Sequence, residues 1–92
     1  MRKVTCFYLT ECPYCIQAKK ALKELIAENP LYGEVEIDWI EESQNPDIID
    51  QYDYYATPSM FIGKEKLYEA YLFETYDECK AHVKAVLDEA MK

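Results

Sequence analysis

Two of the four cysteines, Cys12 and Cys15, stand three residues apart with Pro13 and Tyr14 between them. On the first turn of a helix, two thiols at that spacing come within disulfide range, and the first of them faces backbone N–H groups that have no intrahelical acceptor. The positive end of the helix dipole lies at the same place, so a sulfur there is favoured as its anion. Thiols in such settings titrate at about 3.5–7.5 against about 8.5 when free, and each unit is about 1.4 kcal/mol of preference for the thiolate. The chemistry such a pair would support is thiol–disulfide exchange. Cys12 is the expected nucleophile, and Cys15, one turn further in and less exposed, is expected to attack the mixed disulfide and release the product. Pro13 sets the turn at a position that needs no amide hydrogen, and Tyr14 is expected to cover the sulfur pair without adding charge. Glu11 and the net acidity oppose thiolate formation, so the spacing alone sets no value for the thiol.

The elements around the pair can be read from periodicity. Val4 to Leu9 is a short apolar, β-branched and aromatic run that reads as a strand, and Thr10-Glu11-Cys12-Pro13 reads as the loop into a helix. Ala18, Ala21, Leu22, Leu25 and Ile26 recur at helical spacing among Lys19, Lys20, Lys23 and Glu24, which predicts an amphipathic helix over Pro13 to Glu28 ending near Asn29-Pro30. Beyond a turn at Gly33, Val35, Ile37 and Trp39 alternate with Glu36 and Asp38 as a second strand. Strand, helix, strand is a βαβ unit, and the right-handed crossover lays both strands parallel in one sheet. Asn45-Pro46 starts a shorter helix with an apolar stripe of Ile48, Ile49 and Tyr52. Met60-Phe61-Ile62 and Leu67 to Leu72, parted by a turn around Gly63-Lys64-Glu65, read as a hairpin. Thr75 and Glu78 have capping-box spacing, and Tyr76, Cys79, Val83, Val86, Leu87 and Ala90 continue as the stripe of a closing helix. The expectation is an α/β fold of order βαβ-α-ββ-α: a four-stranded mixed sheet with helices on both faces, one domain over residues 1–92, and the cysteines at the end of the first strand.

Cys12-Pro13-Tyr14-Cys15 after a strand, the βαβ unit, and Thr57-Pro58 ahead of a hairpin together resemble the glutaredoxins of the thioredoxin superfamily, over most of the chain. The resemblance implies a thioredoxin-like fold, disulfide reductase activity through Cys12 and Cys15, and a cis peptide bond before Pro58, whereas most X-Pro bonds are trans. It also implies that Thr57 offers backbone hydrogen bonds to an extended substrate segment and that Pro58 shields the thiols from metal ions. Two features depart from the family. Glutaredoxins usually carry a lysine three residues before the first cysteine to hold the glutathione carboxylate, and Leu9 stands there. They also carry a Gly-Gly pair after the last strand of the hairpin, where this chain reads Tyr68-Glu69-Ala70-Tyr71, expected to fill the space with bulky side chains. The implied partners are a disulfide-containing protein or small molecule, with electrons from glutathione or a flavoprotein of the thioredoxin-reductase type.

Charge narrows the partners further. Eighteen acids against ten bases give a formal net charge of -8, the wrong sign for tracking a phosphate backbone, so no nucleic acid is expected. No apolar run approaches the roughly 18 residues that span a bilayer, and Val4 to Leu9 is too short for a signal-peptide core, so a cytoplasmic monomer without membrane contact is expected. Without a secretory signal, a redox or metal role for the cysteines outweighs a disulfide framework. Zinc would need four ligands, and Cys6 and Cys79 lack paired spacing, so neither a metal nor another cofactor is expected. Those two thiols are expected to face the core, and His82, beside Val83 with no ligand-spaced partner, to serve packing or the surface. Tyr52, Asp53, Tyr54 and Tyr55 are expected to pack in loop and core in preference to forming a substrate-facing rim. The rival functions are a non-catalytic binding module that uses Thr57, Pro58 and the tyrosines, and a metal or iron-sulfur carrier that uses the same cysteines.

Overall fold

The computed structural model describes all residues, Met1–Lys92. β1 (Val4–Tyr8) occupies the interior of the sheet because Val4, Thr5, Cys6 and Phe7 are buried in succession, so both of its faces are covered. β2 (Ile37–Glu41) lies parallel to it, from Val4 opposite Ile37 to Tyr8 opposite Glu41. On its other side β3 (Ser59–Ile62) runs antiparallel, and β4 (Glu65–Glu69) returns beside β3 through the two residues Gly63 and Lys64, with Gly63 at φ +60. The order is β2-β1-β3-β4, a four-stranded mixed sheet as expected.

α1 (Pro13–Glu28) makes the crossover from β1 to β2. Its inner face is Cys15, Ala18, Ala21 and Leu25, and the two alanines let the helix sit close to the sheet. α3 (Tyr76–Ala90) packs beside it through Cys79, Val83, Val86, Leu87 and Ala90. Both helices cover the sheet face that carries Val4, Cys6, Met60, Ile62 and Tyr68. The opposite face is aromatic. Phe7 and Phe61 meet at 5.8 Å, and the rings of Tyr52 and Tyr54 each sit 4.8 Å from Phe7. α2 (Pro46–Ile49) leads the chain into those tyrosines.

Three boundaries differ from the periodicity. The alternation predicts β2 from Val35, but Val35 caps a 3-10 turn over Pro30–Glu34 and donates its N–H to the Tyr32 carbonyl, so pairing begins at Ile37. The second helix lasts a single turn. Ile48 and Ile49 are only half-buried, too little burial to hold so short a helix, and Tyr52 leaves the helical path to pack on Phe7. The last strand, expected from Leu67 to Leu72, spans Glu65–Glu69 instead. A bulge sets in beside Met60 and Phe61, and after Ala70 the chain turns outward, with Phe73 in the left-handed region at φ +66.

The closing helix opens on the expected capping box: the Thr75 hydroxyl accepts the Glu78 N–H, and the Glu78 carboxylate accepts the Thr75 N–H at 2.9 Å. Thr75→Ala removes one half of it. The expected loss is about 1 kcal/mol, read as a lower urea midpoint at unchanged slope; an unmoved midpoint would show that the box contributes nothing.

Candidate active site

β1, β2 and β4 all end at one edge of the sheet, and β3 starts there, because β3 alone runs against the other three. The loop Leu9-Thr10-Glu11 therefore delivers Cys12 beside Thr57-Pro58, which precede β3. Cys12 is the N-cap of α1, with extended backbone at φ -85, ψ 118. N-caps are usually oxygen-bearing side chains that accept an orphan N–H. Here the acceptor is sulfur: Cys12 Sγ takes the Cys15 N–H at 3.2 Å. The Thr57 hydroxyl points a second donor at the sulfur from 3.7 Å, and the thiol proton can reach the Thr57 carbonyl at 3.5 Å. The Thr57-Pro58 bond is cis, as the resemblance implies, and Pro58 is buried.

The two thiols, both free, are unlike. Burial would raise the Cys12 value, but hydrogen bonds from the Cys15 thiol, the Thr57 hydroxyl and the backbone N–H groups of Cys15 and Tyr14 overcome it and hold Cys12 below the ordinary thiol range. Cys15 is 2% exposed; burial, then its hydrogen bond to Cys12, pushes it up to about 12. Electrostatics thus separate an ionisable, half-buried sulfur from a protonated one behind it.

Other expected residues divide. Tyr14 makes its polar contact away from the sulfurs, its hydroxyl accepting the Phe73 N–H at 2.7 Å. Of Tyr68-Glu69-Ala70-Tyr71, Tyr68 turns into the core and Glu69 binds the preceding loop, so only Ala70 and Tyr71 border the space beside Thr57. Bulk fills less of that space than expected because strand alternation sends Tyr68 inward. The tyrosine run splits too: Tyr52 and Tyr54 pack on Phe7 and Phe61, while Tyr55 is 92% exposed. Cys6 and Cys79 are fully buried, and burial raises both thiols. His82 stacks on Tyr68, with Nδ1 3.1 Å from Glu74 Oε2. Among His, Cys, Asp and Glu, no three side chains converge as a ligand group.

Two residues that matter were not legible. Glu69 accepts the N–H groups of both Tyr55 and Ala56 and pairs with Lys66 at 2.7 Å, which fixes the approach to Thr57. Its backbone partners lie 14 and 13 residues earlier, and no local pattern marks such a pairing. Glu74 has a fully buried carboxylate that accepts the Tyr68 hydroxyl at 2.7 Å and faces His82. An acid beside a helix cap reads as an exposed residue, so nothing in the sequence announces it.

A family model described as the thioredoxin domain matches residues 2–68. The chain belongs to the thioredoxin domain family. Two solved structures share this thioredoxin fold. A malarial protein, 16% identical, superposes with a TM-score of 0.57 over 89% of this chain and 92% of its own. Oxidised glutaredoxin 2 from Chlamydomonas reinhardtii, 23% identical, does so with a TM-score of 0.52 over 98% of this chain and 79% of its own. The architecture is thus the thioredoxin fold. No curated protein matches the sequence. No helix of this thioredoxin-family chain is long and apolar enough to cross a membrane.

The asymmetry of the pair is measurable by iodoacetamide alkylation of the reduced protein across pH. Cys12 is expected to react first, with a midpoint below the ordinary thiol range, and Cys15, Cys6 and Cys79 to stay unmodified at neutral pH. Because the Cys12 value is depressed on folding, its contribution to the stability of the reduced protein is complete above the ordinary thiol range and is lost as pH falls through the depressed value. A Cys12 midpoint equal to that of a free thiol would remove the asymmetry.

Proposed function

We propose that this chain is a thiol–disulfide oxidoreductase of glutaredoxin-like type, acting on protein or small-molecule disulfides as one domain of residues 1–92. The observation that carries the reading is the Cys12 sulfur serving as a helix N-cap under the Cys15 N–H, below the ordinary thiol range. Cys12 is then the nucleophile, Cys15 the resolving thiol, Pro13 and Tyr14 the parts of the motif that shape the turn, and Thr57 and Pro58 the wall against which a substrate lies. Exchange of this kind needs no cofactor and no metal.

The chemistry balances within the pair and the substrate. The Cys12 thiolate attacks one sulfur of the substrate disulfide, forming a mixed disulfide and expelling the other sulfur as a thiolate, which takes up a proton. The negative charge that stood beside Cys15 is thereby consumed. Part of what held Cys15 up to about 12 was its interaction with Cys12, so its proton becomes easier to remove once Cys12 is bonded. Cys15 then attacks Cys12 Sγ, releases the second substrate thiol and leaves a Cys12–Cys15 disulfide. Two electrons and two protons have passed to the substrate.

Regeneration needs a reductant, either glutathione or a thioredoxin-reductase-type flavoprotein. The cleft holding Cys12 is bordered by Leu9, Thr10, Glu11 and Glu41, with no lysine or arginine to receive an anionic tripeptide, which favours the flavoprotein. The reading places the domain in the cytoplasm as a monomer, where such reductants keep thiols reduced.

Cys12→Ser is expected to abolish turnover of a disulfide substrate. Cys15→Ser is expected to retain the first attack and accumulate a mixed disulfide, seen as an added mass that dithiothreitol removes. Equal residual activity in the two variants would contradict the assigned roles, and absence of any Cys12–Cys15 disulfide under oxidant would remove the function.

A further inference from the structure

The chain after β4 is hydrogen-bonded at several points and yet presents apolar side chains to water. Ala70 donates its N–H to the Pro58 carbonyl at 3.0 Å, and Phe73 donates its own to the Tyr14 hydroxyl. Glu74 is anchored by Tyr68 and His82, and its carbonyl accepts the Gln17 side-chain amide at 3.4 Å. Between these anchors, Leu72 is 76% and Phe73 87% exposed. Phe73 also occupies the left-handed region, where a bulky residue is out of place. An aromatic residue that is exposed, strained in its backbone and flanked by hydrogen-bonded neighbours is a local cost that packing does not explain, and such costs gather at functional sites. Tyr71 and Leu72 line a slot of about 110 Å³ with Tyr14, Ala56, Thr57 and Ala70, so this apolar rim begins at the residue that touches Cys12 Sγ.

The other side of the sulfur has the opposite character. The sheet order sets β2 on one side of β1 and the hairpin on the other, so Glu41, at the end of β2, lies across Cys12 from Ala70. The cleft there, about 460 Å³, is bounded by Leu9, Thr10, Glu11, Cys12 and Glu41. Hydrogen bonds from Ser43 and Thr10 hold the Glu41 carboxyl below its usual range, so it is charged at neutral pH. Glu11 is exposed beside it, and no base lines the cleft. The two recesses share no residue and differ in chemistry.

Resting on the oxidoreductase reading, we infer that the substrate is a polypeptide disulfide whose cysteine carries an apolar side chain on one flank and a lysine or arginine on the other. The apolar group enters the slot beside Tyr71 and Leu72 and meets Phe73, while the cation faces Glu11 and Glu41. Charge complementarity with a chain of net charge -8 points the same way. Glutathione disulfide would bring carboxylates to the acidic cleft and no apolar side chain to the slot.

The experiment compares seven-residue peptides, each a symmetric disulfide through a central cysteine flanked by Leu or Ser on one side and by Lys or Glu on the other, in both orders. Glutathione disulfide is the anionic reference, and dithiothreitol returns the Cys12–Cys15 pair to its dithiol form. With the intact protein, kcat/KM for the Leu/Lys peptide in one order is expected to exceed that for Ser/Glu by about tenfold or more, with the Lys preference shrinking as salt is raised. Leu72→Ser together with Phe73→Asn, the asparagine being tolerant of φ +66, is expected to collapse the Leu/Ser ratio toward one. Glu11→Gln is expected to lower the Lys/Glu ratio and its salt dependence. Equal rates on all peptides, ratios that persist in the variants, or glutathione disulfide matching the best peptide would overturn the inference while leaving the oxidoreductase reading intact. Failure to reduce any of these disulfides would instead overturn that reading.

Discussion

A single N–H, that of Cys15, aimed at the sulfur of Cys12, is the interaction around which this structure is organised. An oxygen-bearing cap accepts such a bond whatever its charge, but a sulfur accepts it well only as an anion, so the demand of the helix for a cap becomes a preference for thiolate. That demand is satisfied only if Cys12 sits at the end of β1 with extended backbone while the next residue is already helical. Pro13 makes the change of conformation abrupt. The rest of α1 keeps the amide in place: Ala18, Ala21 and Leu25 seat the helix on the sheet, and α3 closes over it.

Around that bond, two carboxylates do unlike jobs. Glu69 reaches back to amides that lead into Thr57 and so sets the wall beside the sulfur. Glu74 goes into the interior, where Tyr68 and His82 meet it, while Tyr71, Leu72 and Phe73 just before it stay exposed. Buried acids of this sort are tolerated when their oxygens are bonded, and those of Glu74 are. The same bonds that satisfy it give the active-site edge a fixed apolar outline.

Much of this was legible in the residues. The opening helix ran from Pro13 to Glu28 as read, because proline marks its first position and Asn29-Pro30 its stop. The capping box of Thr75 and Glu78 marked the last helix, and the alternation of apolar with acidic residues found β2 apart from its first pair. Cys12, Cys15, Thr57 and Pro58, far apart in the chain, meet as the motif pair suggested. What escaped shares one property: it depends on the far partner of a side chain. Tyr52, Tyr54 and Tyr55 are the same residue type within four positions, and only the presence of Phe7 and Phe61 decides which two go in. Glu69 and Glu74 likewise look like surface acids until the backbone amides and the phenol they bind are brought to them.

β4 is an edge strand, and Glu65 and Lys66 give its outer stretch the charged, solvated character that discourages pairing with other chains. Its far end is another matter, since Glu69 and Ala70 tether both the Thr57 approach and the outward loop. The border of the sheet, ordinarily the first part to fray, thus serves here as a tension line for the reactive thiol. Any event that peeled this margin away, whether displacement by a foreign strand or a cut in the turn at Gly63, would free the Thr57 side of the cleft while leaving the Cys15 amide on the sulfur.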